Sequence, residues 1–220
     1  MTGNDAEALS VQTKIGLHHH LFAVAVALSG GVLGILGAFV QELRSGGALL
    51  LLFIGAPIIE ESLKPTGVYL LLLRWPRLLR GQLHIAILAA LSGIAFGVIE
   101  SLLYVTLYAS DPGEWFVIYR FTIPLCVHTL ASFTFGLGIN QRVVDWAAGR
   151  APFPRTSRNA FLAAFATHGV FNALAFGLAL GGVLFARSAV LGCDPRRPPT
   201  FEATQSAGRA RWEASAVAVL

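Results

Sequence analysis

Charge is what this sequence has least of. Only 13% of its 220 residues are Asp, Glu, Lys or Arg, against 55% hydrophobic, and the mean hydropathy is +0.66. A soluble domain carries about 25% charged residues, so the deficit puts the membrane class first. Cysteine is scarce as well. Cys126 lies inside an apolar run, where it reads as a small buried residue, and Cys193 lies in the tail; this excludes a disulfide framework and a paired-cysteine metal site. The start of the chain lacks a basic stretch, with Asp5 and Glu7 ahead of Lys14, and no clear small-residue cleavage site follows the first apolar run. That run is therefore expected to remain as a helix. There is no long-period repeat. The formal charge of +4, from 16 bases and 12 acids, is modest, and the bases stand between apolar runs rather than on one face, which excludes a nucleic-acid partner.

What is present is long apolar runs. A bilayer core of ~30 Å takes ~20 apolar residues in a helix. Five segments qualify, near 18–40, 48–73, 84–109, 115–140 and 160–186. The expected fold is all-α: a polytopic transmembrane bundle of about five helices, with a sixth, re-entrant segment near the end as a variant. Short linkers carry turn residues, at Ser45-Gly46-Gly47, Trp75-Pro76, Asp111-Pro112-Gly113 and between Gly149 and Arg158. The organisation expected is an N-terminal cytoplasmic segment (1–17), a transmembrane domain (18–186) and a polar, disordered tail (187–220). Arg74, Arg77 and Arg80 fill the second loop, and Arg142, Arg150, Arg155 and Arg158 the fourth, whereas the third holds Asp111 and Glu114. Positive loops face the cytoplasm, giving an N-in, C-out topology; the tail, with Arg187, Arg196, Arg197, Arg209 and Arg211, runs against it.

Polar groups then appear where lipid tolerates them badly. An ionised side chain at mid-bilayer costs at least ~2.5 kcal/mol on insertion scales. The second segment holds Glu60, Glu61 and Lys64, the third Glu100, the fourth Arg120 and His128, the fifth His168 and Asn172. They must face one another or a wet cavity. Offsets of four put Glu60 with Lys64, Phe96 with Glu100, His128 with Ser132 and His168 with Asn172 on shared faces. Glu61 is turned ~100° from Glu60, so the two carboxylates have different jobs. Pro57, Pro65 and Pro124 each delete a helical hydrogen bond beside these groups. Glu60, Glu100, His128 and His168 are therefore expected to converge in one pocket.

A carboxylate and an imidazole around water can act as general base and acid, and an amide or hydroxyl nearby can hold an oxyanion. The same Glu and His set would also bind zinc, which acidifies bound water.

These runs carry a resemblance. Glu60-Glu61-Ser62-Leu63-Lys64, Gly93 to Glu100, Arg120 through His128 to Gly136, and His168-Gly169-Val170-Phe171-Asn172 resemble the four motifs of the PrsW family of intramembrane proteases. That family is similar to the CAAX-type prenyl endopeptidases, whose first motif is also a Glu-Glu pair. The likeness spans about residues 48–180, one motif per helix, in order. Ser101 follows Glu100 where many relatives have Asn, and Phe171 stands where Tyr is common. The resemblance implies a multi-pass protein of the cytoplasmic (inner) membrane that hydrolyses peptide bonds of membrane-associated substrates, such as the first cut in an anti-sigma factor. By motif position Glu60 is the water-activating base, His128 its partner, and His168 with Asn172 the oxyanion pair. Glu100 stands where the CAAX relatives use histidine, and Glu61 and Lys64 form a supporting ion pair.

Blander readings stand beside these. Glu60 with Lys64 would also serve as a structural ion pair, Glu100, His128 and Asn172 as helix-packing hydrogen-bond groups, and Ser132 as a small packing residue. Arg120 either snorkels outward or pairs with Glu61 or Glu100. His18, His19, His20 and His84 read as interfacial, and Gly30, Gly31, Gly34 and Gly37 as a close-packing stripe. No tightly bound zinc is expected, because Lys64 balances charge within the protein; the alternative is a zinc site of Glu60, Glu100, His128 and His168. The expected partners are a membrane protein or peptide substrate and the bilayer; the sequence leaves the oligomeric state open. The competing functions are a non-catalytic scaffold that binds transmembrane helices and a proton-coupled carrier.

Overall fold

The chain was analysed as a computed structural model, which describes residues 16–45, 51–109 and 111–191. Among these residues every regular element is helical. They form α1 (Leu17–Ser45), a π-helical turn (Leu51–Gly55), α2 (Ala56–Leu63), α3 (Thr66–Arg74), a 3-10 turn (Pro76–Leu78) and α4 (Gln82–Leu103), which runs into a π-helical stretch (Tyr104–Tyr108). Then come α5 (Glu114–Arg120), α6 (Ile123–Gly136), α7 (Gln141–Ala147) and α8 (Arg155–Leu191). Of the linker Ser45-Gly46-Gly47 the two glycines, with most of the segment 1–17, the tail with Cys193 and any re-entrant segment beyond 191, lie outside the described residues.

Among the described residues four stretches are long and apolar enough to cross a membrane: Leu17–Gln41, Gln82–Tyr108, Glu114–Gly136 and Arg155–Leu178. The second expected span, 48–73, differs. It is a chain of short pieces rather than one helix, and the prolines are the reason. Pro57 sits in the first turn of α2 and Pro124 in the first turn of α6, where the missing N–H costs nothing. Pro65 separates α2 from α3. The sequence suggested a loosened helix; the chain instead ends and restarts. The carbonyls freed at that break are taken up internally, that of Leu63 by the Thr66 hydroxyl and that of Lys64 by the Ser92 hydroxyl. In hydrocarbon a broken helix survives only when such groups find partners. At the other end of the chain, α8 continues to Leu191, past the expected boundary at 186.

Small residues set the spacing between helices. A Cβ on Gly30 would stand 2.7 Å from the Lys64 carbonyl oxygen, and one on Gly31 2.9 Å from the Phe96 amide nitrogen. The glycine stripe of α1 thus lies directly on the backbones that carry Lys64 and Phe96. On α4, a Cβ at Gly93 would come 2.6 Å from the His128 carbonyl oxygen. That close approach holds the helix of Glu100 against the helix of His128. Ala27, Val68, Leu71, Leu88, Ala131 and Phe135 are among the residues of the buried core. The outside is equally apolar, with Leu17, Leu130, Leu162 and Leu174 all exposed, as a lipid-facing surface should be. Cys126 belongs to that outer surface and is not buried as the sequence suggested. It occupies the side of α6 away from Pro124 and His128, both buried.

The loops fall at two ends. Phe22 packs on Trp75 and His20 on His84, with ring centroids 5.0 and 6.2 Å apart, and the Gln82 amide donates to the Gly136 and Ile139 carbonyls. The start of α1 and the two arginine-bearing loops therefore share one end.

Candidate active site

Five helical pieces deliver the polar groups to one place. Glu60 and Glu61 stand on α2, and Lys64 is its C-terminal capping residue. Glu100 comes from α4, Arg120 from the end of α5, His128 from α6 and His168 from α8. All but Glu100 are buried, Glu61 and Lys64 completely so. Charges are buried only when paired, and the pairing here is dense.

Lys64 is the hub. Its ammonium donates to Glu61 Oε1 at 2.6 Å and to His128 Nδ1 at 2.8 Å, and lies 3.4 Å from Glu60 Oε2. It also sits over the Phe96 ring, 4.2 Å from the centroid, a cation–π contact. His128 takes its tautomer from these neighbours. Nδ1 accepts from Lys64, so Nε2 carries the proton and donates to Glu100 Oε2 at 2.8 Å. The same Glu100 oxygen receives an Arg120 N–H at 2.8 Å. Arg120 therefore pairs with Glu100 rather than Glu61, and stacks on Tyr104, 3.8 Å from the ring centroid. Its own carbonyl accepts the Ser101 hydroxyl at 2.8 Å.

His168 is held from the other side. Its Nδ1–H donates to Glu61 Oε1 at 2.8 Å, which leaves the Nε2 lone pair facing Glu60 Oε2 at 3.8 Å. The two imidazoles meet edge to face, with centroids 4.8 Å apart. Glu60 Oε2 and Glu61 Oε2 are buried and have no hydrogen-bond partner. Such orphaned oxygens are costly unless something else binds them.

The expected convergence of Glu60, Glu100, His128 and His168 is present as one connected network. Within it, Glu60, His128 and His168 can each offer a ligand atom such that all three atoms lie within 4.8 Å of one another. Glu100 falls outside this trio, because its oxygen serves Arg120 and His128. The residues fit a divalent cation in three respects. An imidazole whose far nitrogen is fixed by a carboxylate, as His168 is by Glu61, is the usual support for a metal-ligating histidine. Three carboxylates face only two fixed cations, Lys64 and Arg120, leaving a formal negative charge. And Glu60 Oε2 is unsatisfied. Against the fit, both nitrogens of His128 are engaged.

Of the supporting residues, Ser132 is buried with an unpartnered hydroxyl, at the point where α6 meets Gly93 of α4. That position favours the packing role. Asn172 is half-buried one turn beyond His168. Tyr104, Ser92 and Ser101 were missed by the sequence reasoning. Ser92 and Phe96 complete an i, i+4, i+8 stripe with Glu100, a spacing that would have revealed Ser92; nothing in the sequence marks Tyr104 as the shelf for Arg120.

Comparison with known proteins gives a consistent result. Residues 16–192 match the family described as PrsW family intramembrane metalloprotease. Searches of curated proteins and of solved structures gave no match.

Proposed function

The chain belongs to the PrsW family of intramembrane proteases, and from that premise we propose that it hydrolyses a peptide bond of a membrane protein at Glu60, His128 and His168. The observation that carries this reading is the convergence of those three side chains within 4.8 Å in a buried, lipid-flanked site. Glu60 is the group placed to take the proton from the attacking water, since its buried Oε2 accepts no hydrogen bond and lies beside Lys64 and His168. Glu61 acts through His168, fixing the proton on Nδ1 so that Nε2 is free to accept. Glu100 and Arg120 hold His128 at Nε2. Phe96 and Lys64 flank the site on the α1 side, where the glycine stripe packs against their backbones.

Glu60, His128 and His168 would also hold a divalent metal ion, as the family description suggests, and this reading replaces the expectation of a metal-free site. Bound there, zinc would supply Lewis acidity toward water and the scissile carbonyl. A membrane-anchored anti-sigma factor is the first substrate to try. In proteoliposomes, Glu60→Gln should lower cleavage by at least ~10² while the variant folds and still captures substrate. Unchanged cleavage would remove Glu60 from the reaction. Capture of helices without cleavage by the unaltered chain, with or without added zinc, would favour a scaffold.

A further inference from the structure

Toward the arginine-bearing end, beyond the carboxylates, the bundle opens into a cleft of about 550 Å³. Helix register fixes its depth. Phe135 and Phe161 line it, and each lies seven residues from a histidine of the site, His128 on α6 and His168 on α8. Seven residues are two turns, ~10.5 Å along the axis, on the same helix faces. Leu72, Phe135 and Ile139 are buried at the base, while Leu73, Trp146 and Phe153 are exposed at the mouth. Of the three hydroxyls in the wall, that of Ser62 is spent on the Ile58 carbonyl and that of Ser157 on the Gly138 carbonyl, and the third belongs to Tyr69, whose ring packs on Phe135. The interior thus asks for an apolar occupant.

The rim asks for a negative one. Arg74, Arg142, Arg150, Arg155 and Arg158 each lie within three residues of a cleft-lining residue, and all are exposed. Asp145 is the sole acid between residues 137 and 161, and it is bonded to Arg150 at 2.8 Å. An occupant that is apolar along its length and anionic at one end matches both. Size narrows the choice. A helix ~10 Å across occupies ~400 Å³ per turn, so the cleft takes scarcely more than one turn, whereas a single extended hydrocarbon chain fits inside it.

We infer that the cleft binds one acyl chain of an anionic phospholipid, with the phosphate on the arginine rim. Each arginine near an anionic headgroup contributes about 1 kcal/mol, a factor of about five. The chain fills an apolar hollow that runs from Ser62, next to Glu61, to the arginine-bearing loops, and does so whether or not the carboxylates cleave peptide.

Trp146 at the mouth provides the readout. One variant keeps Trp146 as the single tryptophan (Trp75→Phe, Trp115→Phe, Trp212→Phe). A second keeps Trp115 at the opposite end of the bundle. Both go into phosphatidylcholine nanodiscs with a small fraction of acyl-brominated phosphatidylglycerol or acyl-brominated phosphatidylcholine. Bromine should quench Trp146 at least about fivefold more steeply on the anionic lipid, and quench Trp115 alike on both. Ala147→Phe, which fills the cleft, should abolish the excess. The surface triple Arg142→Gln, Arg155→Gln, Arg158→Gln should bring the two lipids to parity. Equal quenching of Trp146 by both lipids in the unsubstituted background means ordinary boundary lipid and overturns the inference. So does an excess that survives both sets of substitutions. Absence of quenching at Trp146 would assign the cleft to a non-lipid occupant such as an extended peptide.

Discussion

The ammonium of Lys64 stands 2.8 Å from Nδ1 of His128 and 3.4 Å from Oε2 of Glu60. A built-in cation therefore touches two of the three side chains suited to a divalent metal ion. At an effective dielectric of 20, unit charges 4 Å apart repel by ~4 kcal/mol. Lys64→Met should accordingly raise zinc affinity at least ~10-fold, measured by competition with a chromophoric chelator. In the presence of excess chelator the variant should be less stable by about 3 kcal/mol, because Glu61 loses its buried partner, and added zinc should restore it. Weaker zinc binding would mean that Lys64 supports a metal rather than competing with one.

Arg120 acts at one remove, by pinning the Glu100 oxygen that also receives the His128 N–H. Arg120→Met should cut kcat by ~10–100-fold with KM little changed, the usual cost of losing a group that orients a reactive histidine. Arg120→Lys keeps the charge but not the planar stacking on Tyr104, and should recover part of kcat. An effect confined to KM would place Arg120 in substrate binding instead.

Glycine substitutions should separate contact from conformation. A Cβ at Gly67 would stand 2.8 Å from the Val26 carbonyl carbon and 3.0 Å from Ala27 Cα, whereas a Cβ at Gly113 meets nothing within 4 Å. Gly67→Ala should cost ~1–3 kcal/mol through forced backbone separation. Gly113→Ala should stay within ~0.5 kcal/mol. Thermal unfolding in detergent reads both, and equal midpoints would contradict the close approach of α1 and α3.

Orientation remains to be measured in the membrane. The arginine bias predicts that the loop around Arg77 faces the cytoplasm. A cysteine introduced at Gly113 should react with an impermeant reagent added outside intact cells, and one at Arg77 should not. The opposite pattern would invert the topology and leave the site geometry untouched.

The helical, multi-pass architecture was legible because apolar length is a direct record of bilayer thickness. Glu60, His128 and His168 were legible because lipid makes each buried charge conspicuous. Two things were not. The sequence showed Pro57 and Pro65 but not that the chain would split into separate helices around them, since that depends on Thr66 and Ser92 being in place to take the freed carbonyls. And it counted Glu100 with Glu60 in the converging pocket and among the candidate zinc ligands. Which of two intramembrane carboxylates is already spent depends on a neighbour from another helix, Arg120, and offsets along one helix carry no information about that. Cys126 was misplaced for a related reason: in a membrane, an apolar residue is as much at home outside the bundle as within it.

The eight-residue helix α2 has a proline in its first turn and ends at Leu63, with Lys64 between it and Pro65. It behaves as a short rod with a joint at each end. Membranes differ in thickness, and a spanning segment absorbs the mismatch by tilting or bending at a cost of fractions of a kcal/mol per Å. Kinks concentrate at prolines, so bending is expected at Pro57 and Pro65 rather than within α2. Glu60 and Glu61, both on α2, are then expected to move as one pair and to keep their spacing in bilayers of unequal depth.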